Sequence, residues 1–143
     1  MTNKRSSWNN QFYHYPNASK FHNDVRDIFR LDDFFKNLHC YQEVPLSSLV
    51  EDYPNNKDCV DWYIDELCTV VELHGKQHYE QTLFGYKSYD EAKKDFHNIQ
   101  YRDNRKKTYL VDSGYNYVEI SYKEAKLLSS NFLKTKILYE GNS

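Results

Sequence analysis

Two short β-rich runs separated by four residues constrain the fold of this sequence most strongly. The runs cover residues 60–64 and 69–78, and the pattern predicts a β-hairpin with residues 65–68 as its loop. This loop length places Asp61 directly opposite Glu72. Directly opposed residues of an antiparallel pair have Cβ atoms about 5 Å apart, so two carboxylates there repel each other unless a cation lies between them.

The opposed pair of carboxylates has two interpretations. Mg²⁺ is typically held by one or two carboxylates together with waters and substrate phosphates. The hairpin is therefore a candidate divalent-metal site for phosphate chemistry. The alternative is the polar face of an ordinary hairpin, because a register shift of one residue would separate Asp61 from Glu72. The pairing alone leaves both interpretations open.

Length and composition restrict the class of protein. The chain has 143 residues with 39% hydrophobic content, which predicts one domain with a single core. No apolar run approaches the ~20 residues of a spanning helix, and no charged-then-apolar leader opens the chain. The three cysteines (Cys40, Cys59 and Cys68) show no CxxC spacing, which argues against a disulfide framework and a thiolate zinc site. We therefore expect a cytoplasmic protein with no membrane partner.

The hydrophobic pattern predicts an α/β fold. Residues 1–18 are polar without a period and predict a flexible N-terminal arm, before a domain over residues 19–143. The predicted elements are a helix capped by Asn17 or Ser19, a strand at 39–44, a polar loop at 46–58, the hairpin, a loop at 79–87 with Phe84-Gly85, a helix from Ser88 to Gly114, a strand at 117–120 and a helix at 122–138. The order is αβββαβα. Because a strand–helix–strand crossover joins parallel strands, we expect a single domain with a mixed four-stranded sheet flanked by helices.

The long helix carries two charged residues on its inward face. Its stripe consists of Ala92, Phe96, Ile99, Asp103, Lys106 and Leu110. Buried charges are costly unless they are paired or bound to a metal. One account is an Asp103–Lys106 pair at the helix edge. We favour the other, in which the stripe carries both residues into an active site, because this helix must pack on the same sheet as the hairpin.

The net charge of −2 does not by itself indicate a nucleic-acid binder. Basic residues nevertheless concentrate in the second half of the chain, between Lys93 and Lys107. A local basic patch can contact phosphates whatever the overall charge. The alternative, which the charges alone favour, is a solvated helix face.

Several motifs, taken in order, resemble a known family. They are Asp61-Trp62-Tyr63-Ile64-Asp65, Val71-Glu72-Leu73-His74-Gly75-Lys76-Gln77-His78, Phe84-Gly85-Tyr86, Arg102-Asp103-Asn104-Arg105-Lys106, Gly114 and Val118-Glu119-Ile120-Ser121-Tyr122. The set resembles the restriction-endonuclease-like nucleases of the PD-(D/E)XK superfamily. It is most similar to the branch of very-short-patch-repair-like nucleases and EDxHD phage homing endonucleases. The resemblance covers residues 19–122 and implies a restriction-endonuclease-like fold.

The resemblance implies a metal-dependent DNA endonuclease, with DNA as its partner and Mg²⁺ as its cofactor, for which Mn²⁺ can substitute. Asp61 would be the central metal ligand, assisted by a backbone carbonyl near Leu73. Glu72 would be a second ligand or would orient metal-bound water. Phosphodiester hydrolysis requires an activated water and neutralisation of charge on the phosphate, and a carboxylate-held metal does both.

The same resemblance implies the groups that move protons and bind phosphate. His78 would move protons or stabilise the leaving group, Asp103 would orient His78 or hold water, and Lys106 would contact a phosphate. His74 and Gln77 complete the implied catalytic residues. A homodimer is compatible with this interpretation, because one active site cuts one strand. The family's distribution suggests a phage-encoded protein acting in the host cytoplasm.

Three positions depart from the family's pattern. His22 stands where many members carry a glutamate in the first helix, His74 replaces the more usual lysine two residues after the glutamate, and the Phe-Gly-Gly loop lacks its second glycine. The first departure and the acidic first half motivate a second hypothesis, a weak or inactive nuclease-fold module that binds DNA or a host protein.

Two further alternatives are disfavoured. The i, i+4 spacing of His74 and His78 invites a zinc site of the H-E-x-x-H kind, but that motif needs a helix through both residues and Gly75 argues against one. An HNH-type nuclease using His74 and Asn98 would need a tandem histidine that the sequence lacks.

Overall fold

The predicted hairpin lies at the centre of a sheet in the computed structural model, which describes residues 7–81 and 88–140. The elements are β1 (Asn9–Asn10), α1 (Lys20–Leu31), β2 (Cys40–Pro45), α2 (Leu46–Leu49), β3 (Cys59–Ile64), β4 (Thr69–His74), α3 (Tyr89–Asp112), β5 (Asn116–Ser121) and α4 (Ser130–Tyr139). Five strands lie in the order β1-β2-β3-β4-β5. Among the strands of the described residues, only β4 and β5 pair in parallel, so the protein is a small α/β domain with a mixed sheet, as the α3 crossover predicts.

The register of the hairpin agrees with the prediction from its loop length. Trp62 pairs with Val71, and Ile64 pairs with Thr69, so the next residues along the two strands are Asp61 and Glu72. The loop is a 3₁₀ turn over Asp65–Leu67, closed by Cys68 in the left-handed conformation with φ 50°. A short loop fixes the register because it leaves the strands no slack in which to slip.

The predicted number of four strands is wrong, because the N-terminal segment supplies a fifth. Asn9–Asn10 pairs with β2, and the Trp8 ring packs edge-on against Tyr41. The buried Gln11 side chain donates hydrogen bonds to the carbonyl oxygens of Phe35 and Leu38. The described part of the predicted flexible arm therefore makes specific contacts with the domain. A two-residue strand held by side-chain hydrogen bonds has no hydrophobic period, so the pattern could not reveal it.

The helices α1 and α3 begin where the sequence predicts, whereas α4 begins at Ser130, later than predicted. Ser19 caps α1 and Ser88 caps α3, each through its side-chain oxygen. The predicted last helix at residues 122–138 is two elements, a 3₁₀ segment (Tyr122–Leu127) and α4, because the Ser129 side chain caps a new helix by accepting from the Phe132 N–H. The predicted loop at 46–58 contains α2. The predicted Phe84-Gly85 loop lies outside the described residues.

Two hydrophobic cores cover the two faces of the sheet. One packs α1 and α4 against Trp62, Val71 and their neighbours, and the other packs α3 against Tyr63, Val70 and theirs. The long helix therefore lies on the face that carries Glu72, since Glu72 follows Val71 on the opposite side of β4. Within residues 7–81 and 88–140, no helix combines the length and apolarity needed to cross a bilayer.

Candidate active site

The alternation of side chains between the two faces of the sheet is interrupted at the same position in β2 and in β3. Successive side chains of a strand point to opposite faces, so residues two apart share a face. Gln42 and its partner Trp62 lie on the α1 side, yet Val44 and Val60, two residues away on each strand, lie in the core on the α3 side. The residues between them are Glu43, which has φ 51°, and Asp61.

Glu43 and Asp61, the two residues at this irregularity of the sheet, belong to a group of three potential metal ligands. His22 from α1, Glu43 from β2 and Asp61 from β3 each offer one ligand atom, and these atoms all lie within 4.8 Å of one another. The three residues line an open cleft of about 730 Å³, together with Leu73 and Gln77. One imidazole and two carboxylates, reached through an open cleft, fit a divalent ion.

The backbones of β3 and β4 hold the two opposed carboxylates. The Asp61 N–H donates to Glu72 Oε2 at 3.1 Å, and the Leu73 N–H donates to Asp61 Oδ2 at 2.7 Å. Each strand therefore positions the carboxylate of the other. In this arrangement Leu73 contributes its N–H to Asp61, while Glu72 lies outside the group formed by His22, Glu43 and Asp61.

Lys106 of α3 binds Glu72 in the interior. Lys106 Nζ lies 2.5 Å from Glu72 Oε1, and their side chains are only 13% and 3% exposed. The charged stripe of α3 is thus accommodated by a pair between Lys106 and β4, instead of a pair with Asp103 within the helix. Burial raises the pKa of Glu72 to about 8; the charge of Asp61 adds to this effect, and Lys106 opposes it. Burial also raises the pKa of Asp61.

A second cluster lies on the α3 face of β4, the face that also carries Glu72, and it shares no lining residue with the cleft at Asp61. His78 Nδ1 lies 2.6 Å from Asp103 Oδ2, and the rings of His74 and His78 stack with centroids 4.1 Å apart. Gly75 begins the 3₁₀ turn Lys76–His78, which folds His78 back beside His74 without an α-helix. The predicted relation between Asp103 and His78 is therefore present as a hydrogen bond. Lys106 lies one helical turn beyond Asp103, so the two clusters are neighbours.

Glu119 of β5 is a member of the second cluster that sequence reasoning missed. His74 Nδ1 lies 3.4 Å from Glu119 Oε1, and the Tyr79 hydroxyl also donates to Glu119. Burial opposes protonation of His74, but the hydrogen bond to Glu119 and the nearby charge of Asp103 raise the pKa of His74. The same hydrogen bond lowers the pKa of Glu119 to about 2. The available signal was that Glu119 is the one charged residue in β5.

The predicted site residues divide into two groups in the structure. Asp61, Glu72 and Lys106 meet beside the cleft, while His74, His78 and Asp103 form the neighbouring cluster. Gln77 is exposed at the rim of the cleft. Glu43 and Glu119 are the additional carboxylates, and His22 joins the first group from α1.

The structure thus defines a small α/β domain with a carboxylate, histidine and lysine site at the middle of a mixed sheet. No family model matches the chain, and comparison with the curated proteins gives no significant match. The similarity to the PD-(D/E)XK nucleases therefore depends on the order of the sequence motifs alone.

The left-handed backbone at Glu43 gives a stability prediction with a matched control. Glu43 and Cys68 both have φ near +50°. We expect Glu43→Gly and Cys68→Gly each to raise the free energy of unfolding by about 1 kcal/mol, because glycine adopts this conformation without the steric cost of an L-residue. Glu43→Gly should increase the free energy of unfolding more than Cys68→Gly does, since it also removes a negative charge that raises the pKa of Asp61. Urea unfolding measures the stability of both variants. A loss of stability in Glu43→Gly alone would show that the left-handed backbone at Glu43 is not strained.

Proposed function

We propose that this protein is a metal-dependent DNA endonuclease that hydrolyses phosphodiester bonds. The observation that carries the proposal is the adjacency of two clusters, a set of carboxylates beside an open cleft and a histidine oriented by a carboxylate. A divalent ion bound at the carboxylates would supply an activated water and neutralise charge on the phosphate.

His78 is positioned for proton transfer. Asp103 accepts from Nδ1, so the neutral ring keeps its lone pair on Nε2, where it can accept a proton. His74 stacks on this ring and is itself held by Glu119, which fixes the plane of both imidazoles. The pair of rings is thus ordered before any substrate binds.

The remaining predicted residues position Asp61 and balance the charges around it. Lys106 compensates the buried charge of Glu72, and Glu72 in turn accepts from the Asp61 N–H and holds the strand that presents Asp61. Exposed cations on α3 (Lys93, Lys94, Arg102 and Lys107) are available for contacts with the DNA backbone.

The proposal is tested by incubating supercoiled plasmid with the protein in Mg²⁺ or Mn²⁺, with and without a chelator. We expect loss of the supercoiled form that the chelator blocks. The ratio of nicked to linear product then reports whether a dimer cuts both strands. Absence of cleavage in either metal by folded protein would favour the alternative, a nuclease-fold module that binds DNA or a host protein.

The orientation of His78 predicts the effect of removing it. We expect His78→Gln to lower the cleavage rate by about 10²- to 10⁴-fold, the usual contribution of a general acid or base. Asp103→Ala should lower it less, since the ring remains but loses its orienting acceptor. His97, which is exposed on α3, provides the matched control His97→Gln. Equal rates for His78→Gln and His97→Gln would remove His78 from the mechanism.

A further inference from the structure

The orientation of the Gln42 amide is fixed by the N-terminal segment. Gln42 is buried, and its Nε2 donates to the carbonyl oxygens of Asn10 at 2.6 Å and Tyr13 at 2.9 Å. Because carbonyl oxygens only accept, the amide nitrogen must face them. Gln42 Oε1 is therefore directed to the other side, where it lies 2.7 Å from His22 Nε2.

This contact determines the tautomer of His22. An amide oxygen can only accept, so Nε2 of the imidazole carries a hydrogen. The neutral ring then has its lone pair on Nδ1, for which the described residues provide no hydrogen-bond partner. The ring is also fixed in its plane, since it is 7% exposed and stacks on Trp62 with centroids 5.2 Å apart. His22 is thus a buried imidazole of fixed orientation, with Nδ1 as the nitrogen that carries the lone pair.

We propose that His22, through Nδ1, together with Glu43 and Asp61, binds a first-row transition ion such as Mn²⁺ in preference to Mg²⁺. One ring nitrogen of His22 and one carboxylate oxygen each from Glu43 and Asp61 lie within 4.8 Å of one another, and all three residues line the open cleft. Mg²⁺ prefers an all-oxygen shell, whereas an imidazole nitrogen favours the transition ions. The inference deepens the proposed function, because it names the ion that the nuclease would use.

The N-terminal segment is a positioning element of this site. Metal-binding histidines generally donate their other ring N–H to an acceptor that fixes the tautomer, and Gln42 has that place here. Gln42 is in turn oriented by Asn10 and Tyr13, on and beside β1. The segment predicted as a flexible arm therefore acts on the ion through two side chains.

The test measures Mn²⁺ and Mg²⁺ binding to the whole protein by calorimetry without DNA. We expect the wild type to bind Mn²⁺ more tightly than Mg²⁺. His22→Phe keeps the ring on Trp62 but removes the ligand, whereas Gln42→Met keeps His22 but removes its orienting acceptor, together with the two hydrogen bonds from Gln42 to the N-terminal segment. Each should lower Mn²⁺ affinity about 10- to 100-fold, the usual effect of disturbing a ligand or its partner, and Mg²⁺ affinity less.

The control is His39→Phe, since His39 also stacks on an aromatic ring, Tyr41, and lies outside the site. It should leave both affinities unchanged. Thermal unfolding confirms that each variant is folded, and unchanged Mn²⁺ affinity in folded His22→Phe would overturn the inference.

The two proposals fail separately. Selective Mn²⁺ binding that His22→Phe abolishes, in a protein that cuts no plasmid, would support the ion site and contradict the nuclease. Plasmid cleavage by a wild type that shows no preference for Mn²⁺ would support the nuclease and overturn the ion preference.

Discussion

Asp61→Asn should abolish divalent-dependent cleavage of plasmid DNA, lowering its rate by about 10³-fold or more. A bound metal contributes several kcal/mol to stabilisation of the transition state, and each ~1.4 kcal/mol is a factor of ten. Asp61 belongs to the ligand group with His22 and Glu43 and lies next to Glu72 across the hairpin. Its substitution therefore removes one of the three potential metal ligands and changes the residue opposite Glu72.

The same substitution should leave the protein folded. Asparagine retains an oxygen that can accept the Leu73 N–H, and it removes a carboxylate whose pKa burial raises. We expect an unchanged or higher melting temperature in the absence of metal. Asp65→Asn, in the loop of the same hairpin, is the matched control and should cleave at the wild-type rate. Wild-type cleavage by Asp61→Asn would place the reaction elsewhere in the chain.

The parts of the site that could be predicted from the sequence depend on local geometry. The opposition of Asp61 and Glu72 follows from a loop of four residues, which fixes the hairpin register without further information. Asp103 and Lys106 follow from helical spacing on α3, because residues three apart lie on one face. In both cases the distance in sequence is short and the geometry is regular.

The parts that could not be predicted depend on long-range pairing and irregular backbone. Glu43 meets Asp61 only because β2 and β3 pair across the long connection at residues 46–58, whose length fixes no register. Its left-handed backbone is uncommon for a glutamate, so no propensity would place it at this irregularity of the sheet. Glu119 reaches His74 through the parallel β4–β5 pair, whose register depends on where α3 crosses the sheet.

Lys106→Met should lower the unfolding free energy by about 1 kcal/mol near pH 9 and by more at higher pH, since loss of one partner of a buried ion pair leaves Glu72 either uncompensated or protonated against the solution pH, at about 1.4 kcal/mol per pKa unit. Glu72 is the partner, 2.5 Å away and almost fully buried. Methionine preserves the length of the aliphatic stem, so the loss should come from the charge and not from packing. Lys107→Met, at the next and exposed position of α3, should have little effect.

The pH dependence of the stability of Lys106→Met distinguishes loss of the Lys106–Glu72 ion pair from loss of packing by the lysine stem. The pKa of Glu72 in the folded protein is already raised to about 8 from an ordinary value of 4.5, and loss of Lys106 removes the influence that lowers it. A raised carboxyl pKa stabilises the folded state below the ordinary value, and that contribution is lost as the pH rises through the folded-state value. The destabilisation of Lys106→Met should therefore be small near pH 5 and grow toward pH 9. Adding Glu72→Gln should abolish this dependence in urea unfolding. An equal loss at both pH values would show that the lysine stem contributes by packing, and that Glu72 does not need a cation to remain buried.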